Sequence, residues 1–442
     1  MSAVYLHVGQ CGIQIGQELW TKAILRTQED VDLKQVLWSG ESPRCLFIDG
    51  ERKVIQKFSH EMKKIKHKPS VDVLSNSIRC RKGCGANWSV GYHGLAQHTF
   101  GKDLPKIKAG YGQYLVDFDS SMLDVCMEAI RVKIESCDSF SGFIGFHGLG
   151  GGTGSGWGSR LCSELCDLYP TAYRLWNVIN PHSTGESPTQ HYNQILSLSK
   201  LQENADGIVL FENDHILDTL AKHCTTVSLK DMNNLIADTI LSIYSPVSSL
   251  TPKVGGLSIG IEPWELIRSV APLPARKLIQ PRYVDDAQFS KTPAPLIWNK
   301  LLKTLTGRLR TEIHASASKS SCVSAVCVCR GVEKDFSPNL HHLATQLKQT
   351  YSCVDWNPYP FDVWIDEAKK IPAKGKRRSK SLTVCANVTA SADYCQRVLE
   401  KSKLMFDNKA YLHWYNRHGT EENDFIAAFT TIETIIKEYK ET

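Results

Sequence analysis

The chain has 442 residues, 42% apolar and 22% charged, proportions that exclude a mostly disordered or collagenous polymer and suit two or three packed domains. Its 52 basic and 46 acidic residues leave a formal charge of +6, short of the concentrated basic excess of a nucleic-acid binder, so no nucleic-acid partner is expected. No run approaches the roughly 18 apolar residues of a membrane span, so no membrane insertion is expected.

The first segment, Ala3-Val4-Tyr5-Leu6-His7-Val8, is short, apolar and β-prone, and runs into Gly9-Gln10-Cys11-Gly12. Behind it Ile15, Leu19 and Ala23 recur at helical spacing. Strand, glycine turn and helix open an α/β unit. The start lacks the charged and long apolar regions of a signal peptide, so cytoplasm is the expected compartment. Residues 45–48, 140–146, 173–179 and 207–211 are further buried-strand candidates, mostly followed by helical periodicity. That alternation predicts a largely parallel sheet with helices on both faces and ligands at the carboxyl ends of its strands.

Residues 231–244 read as one helix, with Leu235, Ile236, Thr239, Ile240 and Ile243 on its apolar side, ended by Ser245-Pro246. The composition then shifts toward Pro and Ser. Residues 260–385 mix strands, at 322–329 and 382–386, with short helices, which reads as a second α+β domain. Within it, 374–380 is a basic run placed in a loop. Its functional reading is contact with an acidic polymer or anionic surface, and its plainer reading is a solvated loop. Phe425, Phe429, Ile432, Ile436 and Tyr439 form the apolar stripe of a terminal amphipathic helix. After it come only Lys440, Glu441 and Thr442, so no acidic tail is expected. The 15 cysteines are odd in number and scattered. Pairs such as Cys80 and Cys84, Cys162 and Cys166, or Cys327 and Cys329 match no common zinc pattern, and buried reduced thiols are expected.

The most informative stretch is His147-Gly148-Leu149-Gly150-Gly151-Gly152-Thr153-Gly154-Ser155-Gly156, between a strand candidate and a helical segment. Glycines let successive N–H groups close on an anion, and a following helix adds its positive end. Thr153 and Ser155 offer hydroxyl donors. The loop lacks the Gly-Lys-Ser/Thr ending of a Walker loop.

Together with Gly9-Gln10-Cys11-Gly12, this loop resembles the tubulin superfamily. So do Asn87-Trp88, Tyr192-Asn193, Val354-Asp355-Trp356-Asn357 and Ala410-Tyr411-Leu412-His413-Trp414-Tyr415, so the resemblance runs the length of the chain. It implies an α/β fold of the tubulin/FtsZ type: a Rossmann-like parallel-sheet nucleotide-binding domain over 1–228, a central helix over 229–250, an intermediate α+β domain over 251–385 and C-terminal helices over 386–442.

It also implies GTP or GDP with Mg2+ as cofactors. Gln10 matches a residue near the phosphates and the metal, Cys11 a residue packed on the nucleotide, and Gln14 a base-side contact. Asp49 and Glu51 match the acidic loop that orders magnesium, mostly through water. Gly148, Gly150, Gly151, Gly152, Thr153 and Gly154 match the phosphate cradle, and Gly85, Ala86 and Asn87 a second phosphate-side loop. Glu186 matches a ribose contact, and Asn213 and Asn233 match readers of the sugar and guanine edge. Alone, each reads as well as an ordinary loop charge, cap or solvated helix residue. Hydrolysis in the family is completed by the subunit stacked along a filament, and Glu265, seven residues before Pro272-Leu273-Pro274, matches its catalytic acid.

Departures from the family pattern are Ala86 in place of an asparagine, Leu229 in place of an aromatic ring on guanine, Gln190 in place of an acid, a short 25–45 region and an unusual 281–293 segment. Thr184-Gly185-Glu186 and Cys137-Asp138-Ser139-Phe140-Ser141-Gly142-Phe143 resemble the δ/ζ branch, and the compact length favours ζ. The implied role is a structural cytoskeletal component of centrioles or basal bodies, with other tubulins, microtubules and centriolar proteins as partners. The alternative is a self-assembling GTPase that polymerises like α/β-tubulin.

Overall fold

The computed structural model describes residues 2–27, 30–65, 70–79, 83–95, 107–109, 112–114, 121–222, 224–247, 249–250, 262–289, 292–315, 320–332, 339–367 and 380–441. Cys80 and positions 374–379 of the basic run lie outside them. The chain divides into two compact units, one of residues 1–237 and 397–434 and one of residues 238–396 and 435–442.

The first unit begins with β1 (Ser2–Val8), α1 (Gly9–Arg26), α2 (Val31–Leu37), the hairpin β2 (Trp38–Ser39) and β3 (Ser42–Pro43), β4 (Cys45–Asp49), α3 (Arg52–Lys63), β5 (Ser77–Arg79) and α4 (Trp88–Gly94). It continues with the hairpin β6 (Ile107–Ala109) and β7 (Gly112–Tyr114), α5 (Met122–Glu135), β8 (Phe140–Gly148), a π-helical turn (Thr153–Trp157), α6 (Gly158–Leu168), β9 (Tyr173–Asn180), α7 (Gln190–Asn204), β10 (Gly207–Glu212), α8 (Asn213–Ala221) and the first half of α9 (Leu229–Tyr244). Its sheet runs in the order β10-β9-β8-β1-β4-β5, with each neighbouring pair parallel. Every residue of β1 and β4 is buried, as expected for strands covered on both faces. Ile15, Leu19 and Ala23 are buried on α1, the face that the helical spacing predicts. Between β1 and β8 the strand order reverses direction, and the loops after these two strands flank the crevice where such sheets bind ligands.

The second unit holds the rest of α9, β11 (Ser249–Leu250), α10 (Glu265–Val270), β12 (Leu278–Asp285), α11 (Ala294–Ala315), β13 (Cys322–Val332), α12 (Leu340–Tyr351), β14 (Phe361–Glu367) and β15 (Ser381–Val388). Its strands run β11-β14-β13-β15-β12. Only β13 and β14 are parallel, the mixed sheet of an α+β domain. The 281–293 segment supplies the end of β12 here. The C-terminal helices are α13 (Ser391–Asp407), α14 (Leu412–Asn416) and α15 (Glu422–Lys440). All five stripe residues of α15, from Phe425 to Tyr439, are buried.

Candidate functional site

The site grows from the carboxyl ends of β1, β4, β8, β9 and β10. The chain leaves β1 through Gly9 at φ +71°, where a Cβ would come within 2.7 Å of the Gly154 nitrogen. Only glycine lets the β1 turn approach the β8 loop this closely. Gly148 is seated as tightly: its Cβ would lie 3.1 Å from Cys11 Cβ and 3.4 Å from Cys11 Sγ. Gly152 donates its N–H to the Gly85 carbonyl at 2.9 Å, and a Cβ there would meet Asn87 N and Gly85 O at 2.6 Å. The loops after β1, β5 and β8 thus pack backbone against backbone.

Two helix starts point at this junction, α1 and the π-turn that leads into α6. Neither has an acidic residue in its first turn, so their positive ends are uncompensated. A π-turn in this position is the local irregularity that functional sites often carry. The N–H groups of Gly150 and Gly151 have no acceptor among the described residues, and a Cβ on Gly151 would meet nothing within 4 Å. Backbone donors without an acceptor thus stand beside open space at Gly151, near the starts of two helices, an arrangement that can receive an oligophosphate.

The other side chains expected at the site are largely free. Gln10, Gln14, Glu186, Asn213 and Asn233 make no side-chain hydrogen bond among the described residues. Gln10 and Glu186 are exposed, and Gln14, Asn213 and Asn233 half-buried. Glu186 lies close enough to Cys11 to add to the effect of burial, which pushes that thiol up to about 12. Cys11 packs against Gly148, and its raised pKa disfavours the thiolate. Asn233 lies in the first turns of α9, beside α1: Lys22 Nζ donates to the Asn234 carbonyl at 3.2 Å, and Lys230 acts on the buried Glu18.

Asp49 ends β4 and is buried. Its Oδ1 accepts the Glu51 N–H at 3.1 Å, but its Oδ2 has no partner. Burial raises the carboxyl to about 6, with the charge of Glu51 adding to the shift. A buried carboxylate with an orphaned oxygen suits a hydrated divalent cation, which would supply both donor and charge. Glu51 is exposed beside the 83–87 loop, its Oε1 being 3.0 Å from where a Cβ on Gly83 would stand. With magnesium present, Asp49 and Glu51 would hold it mostly through water, and the metal would offset phosphate charge.

Three side chains of these loops have partners within the protein. The Ser155 hydroxyl turns inward to the Gly151 carbonyl, so it does not serve an anion. Asn87 caps α4, its Oδ1 accepting the Ser89 N–H at 2.9 Å while its Nδ2 donates to the Trp414 carbonyl at 3.1 Å. Its Oδ1 and one Nδ2 proton are thus engaged in shaping the loop, and the second Nδ2 proton has no acceptor among the described residues. Thr153 accepts the Cys84 N–H at 3.3 Å through Oγ1 and keeps its own proton to give. Ala86 is exposed. Its carbonyl accepts from Thr189 Oγ1 at 2.5 Å and Asn193 Nδ2 at 3.0 Å.

Gln190 shows what the missing acid does. Its Oε1 accepts the Glu186 N–H at 2.8 Å and its Nε2 donates to the His182 carbonyl at 3.2 Å. An acid offers no donor at neutral pH, so the amide clamps both ends of the loop carrying Glu186. That loop is also tied to α8, with His182 Nδ1 lying 2.7 Å from Asp214 Oδ1 and the Ser183 N–H donating to Oδ2 at 2.9 Å. Leu229 is 64% exposed, free to pack on a planar base.

Glu265 belongs to the second unit. It is 5% exposed, and its Oε1 accepts from Arg268 at 2.8 Å.

The model of the Tubulin/FtsZ family GTPase domain matches residues 2–221, which include all these loops through Asn213. The tubulin delta chain of Homo sapiens is 26% identical over 480 aligned positions, covering 99% of each chain. That of Macaca fascicularis is likewise 26% identical over 480 positions. The tubulin beta-1 chain of Homo sapiens is 25% identical, covering 99% of this chain and 93% of the relative.

Proposed function

The chain belongs to the tubulin superfamily, and from that premise we propose that it is a guanine-nucleotide-binding divergent tubulin serving as a structural, microtubule-associated component of centrioles or basal bodies. The nucleotide reading rests on unpaired groups in the strand-end loops and on α8 and α9. Free N–H groups at Gly150 and Gly151 suit phosphates, the orphaned Oδ2 of Asp49 suits hydrated magnesium, and the free amides of Asn213 and Asn233 suit a purine and its sugar.

In this reading the nucleotide sets conformation, and turnover is weak. Glu265 is buried and held by Arg268, so presenting it to a neighbour's nucleotide would first require breaking that pair. This favours the structural role over a self-assembling GTPase. The delta relatives match over 99% of the chain, which supports a place in the δ/ζ branch.

Displacement of a fluorescent GTP analogue from the magnesium-loaded chain tests the pocket. GTP should compete at least about tenfold better than ATP, and equal competition would overturn guanine selectivity. Imaging the tagged chain in ciliated cells tests its place. Signal confined to centrioles or basal bodies is expected, and uniform incorporation along the microtubule wall would favour the assembling alternative.

A further inference from the structure

Cys322 opens β13, and Cys353 follows α12. The two stand opposite each other as an isolated parallel bridge. The Cys322 N–H donates to the Ser352 carbonyl at 3.3 Å, and the Val354 N–H donates to the Cys322 carbonyl at 3.0 Å. Paired strand segments run about 4.8 Å apart, inside the roughly 4.4–6.8 Å that a disulfide requires between Cα atoms. Residues opposite each other in a parallel pair project to the same side, so the two thiols share one side of this bridge.

We propose that Cys322 and Cys353 form a redox-modification site, which a hydroperoxide oxidises to a reversible intrachain disulfide. The two members are unlike. Cys322 is fully buried in the core of the second unit, whereas Cys353 is half-buried at its edge. Cys353 lies beside the Cys322 thiol and near the Lys348 ammonium. Both hold its pKa below the usual thiol value, while burial holds Cys322 above it. Cys353 is therefore the attacking sulfur and Cys322 the resolving one. Cys327, Cys329 and Cys385 also cluster nearby, but all three are fully buried and offer an oxidant no approach.

With hydrogen peroxide as oxidant, the Cys353 thiolate attacks one oxygen, the O–O bond breaks, and the departing hydroxide takes a proton to become water. Cys353 is left as a sulfenic acid. The Cys322 sulfur then attacks the Cys353 sulfur, its proton joins the leaving hydroxide, and a second water departs. Two thiols and one peroxide give one disulfide and two waters. The bond fastens the end of α12, where Ser352 sits at φ 49°, to the start of β13.

The test uses the purified full-length chain. It is treated with hydrogen peroxide, quenched with catalase, denatured in acid with excess alkylating agent and digested without reductant. A peptide linking Cys322 to Cys353, lost on treatment with dithiothreitol, is the expected product. Recovery of both thiols alkylated, or of Cys353 overoxidised with Cys322 free, would overturn the proposal. Cys322→Ser should leave Cys353 as a sulfenic acid trapped by dimedone, and Cys353→Ser should slow peroxide oxidation of Cys322 at least about tenfold. A dimedone adduct at Cys322 in Cys353→Ser would contradict the assigned roles. The wild-type peptide map reads the outcome even if a variant folds poorly.

Discussion

Tyr415 donates its hydroxyl to Oδ1 of Asn193 at 2.6 Å, and the same oxygen accepts the Trp88 N–H at 2.9 Å. The Nδ2 of Asn193 donates to the Ala86 carbonyl at 3.0 Å and to the Gly150 carbonyl at 2.8 Å. One fully buried amide thus uses its whole bonding capacity. It ties the 83–88 loop, the glycine loop and α14 to α7. The phosphate-side backbone is held in shape from behind, by a residue that has nothing left to offer a ligand.

Replacing Asn193 with leucine strands the buried Trp88 N–H and leaves the Tyr415 hydroxyl only the long 3.5 Å contact to the Thr189 carbonyl, each costing about 1–3 kcal/mol. A stability loss of roughly 2–5 kcal/mol is expected, along with loss of bound nucleotide. Tyr415→Phe removes one donor and should cost only about 1 kcal/mol. Urea denaturation of both variants checks the difference, and equal losses would show that Asn193 does not bridge the loops.

Gly151 and Gly152 are adjacent yet should respond in opposite ways. A methyl at Gly152 collides with backbone at 2.6 Å on two sides, so Gly152→Ala should destabilise the fold and lose nucleotide together. At Gly151 the space is open, so Gly151→Ala should leave the nucleotide-free melting temperature unchanged or slightly raised. If the phosphates bind at this loop as proposed, the methyl would intrude on them, so affinity should fall at least about tenfold. Melting curves with and without GTP separate the two effects.

Asp49 carries a pH signature. Its folded pKa is raised from 3.8 to about 6, so its contribution to stability is complete below the unfolded value and is lost as pH rises through 6. In the nucleotide-free chain this should remove roughly 2–3 kcal/mol between pH 4 and pH 7. Asp49→Asn should flatten that part of the profile and abolish stabilisation by magnesium. Parallel denaturation of wild type and Asp49→Asn across this range reads the difference directly.

Glu265 is buried against Arg268, and removing one member of such a pair leaves the other uncompensated. Glu265→Gln should lower the stability of the second unit by about 1 kcal/mol, because Arg268 is half-exposed and water replaces its partner. Phosphate release should be slow, independent of protein concentration and unchanged in the variant. Turnover that climbs with concentration and vanishes in Glu265→Gln would establish the self-assembling GTPase instead.

Much of this was legible in the sequence. Glycine after β1, a glycine run after β8 and the strand–helix alternation between them specify a parallel sheet with its loops at one edge, because chain geometry dictates both. Side-chain direction was less legible. Ser155 and Thr153 look equivalent in the loop, yet one turns to the Gly151 carbonyl and the other to Cys84, since each follows the nearest backbone group in three dimensions. Asn87 reads from the sequence as a ligand contact alone, yet one of its amide protons goes to the Trp414 carbonyl, more than 300 positions away. Asn193 was visible only as part of a family segment, and no local pattern marks an amide whose four partners come from three other segments. The pairing of Cys322 with Cys353 is hidden for the same reason, because it depends on where α12 returns the chain beside β13.

The most direct measurement is chromatography of the nucleotide released when the purified chain is denatured. Close to one guanine nucleotide per chain, retained with magnesium and lost in Gly151→Ala, is the expected result. A correctly folded chain that carries no nucleotide and binds none on addition of GTP and magnesium, or one that carries adenine nucleotide, would contradict it.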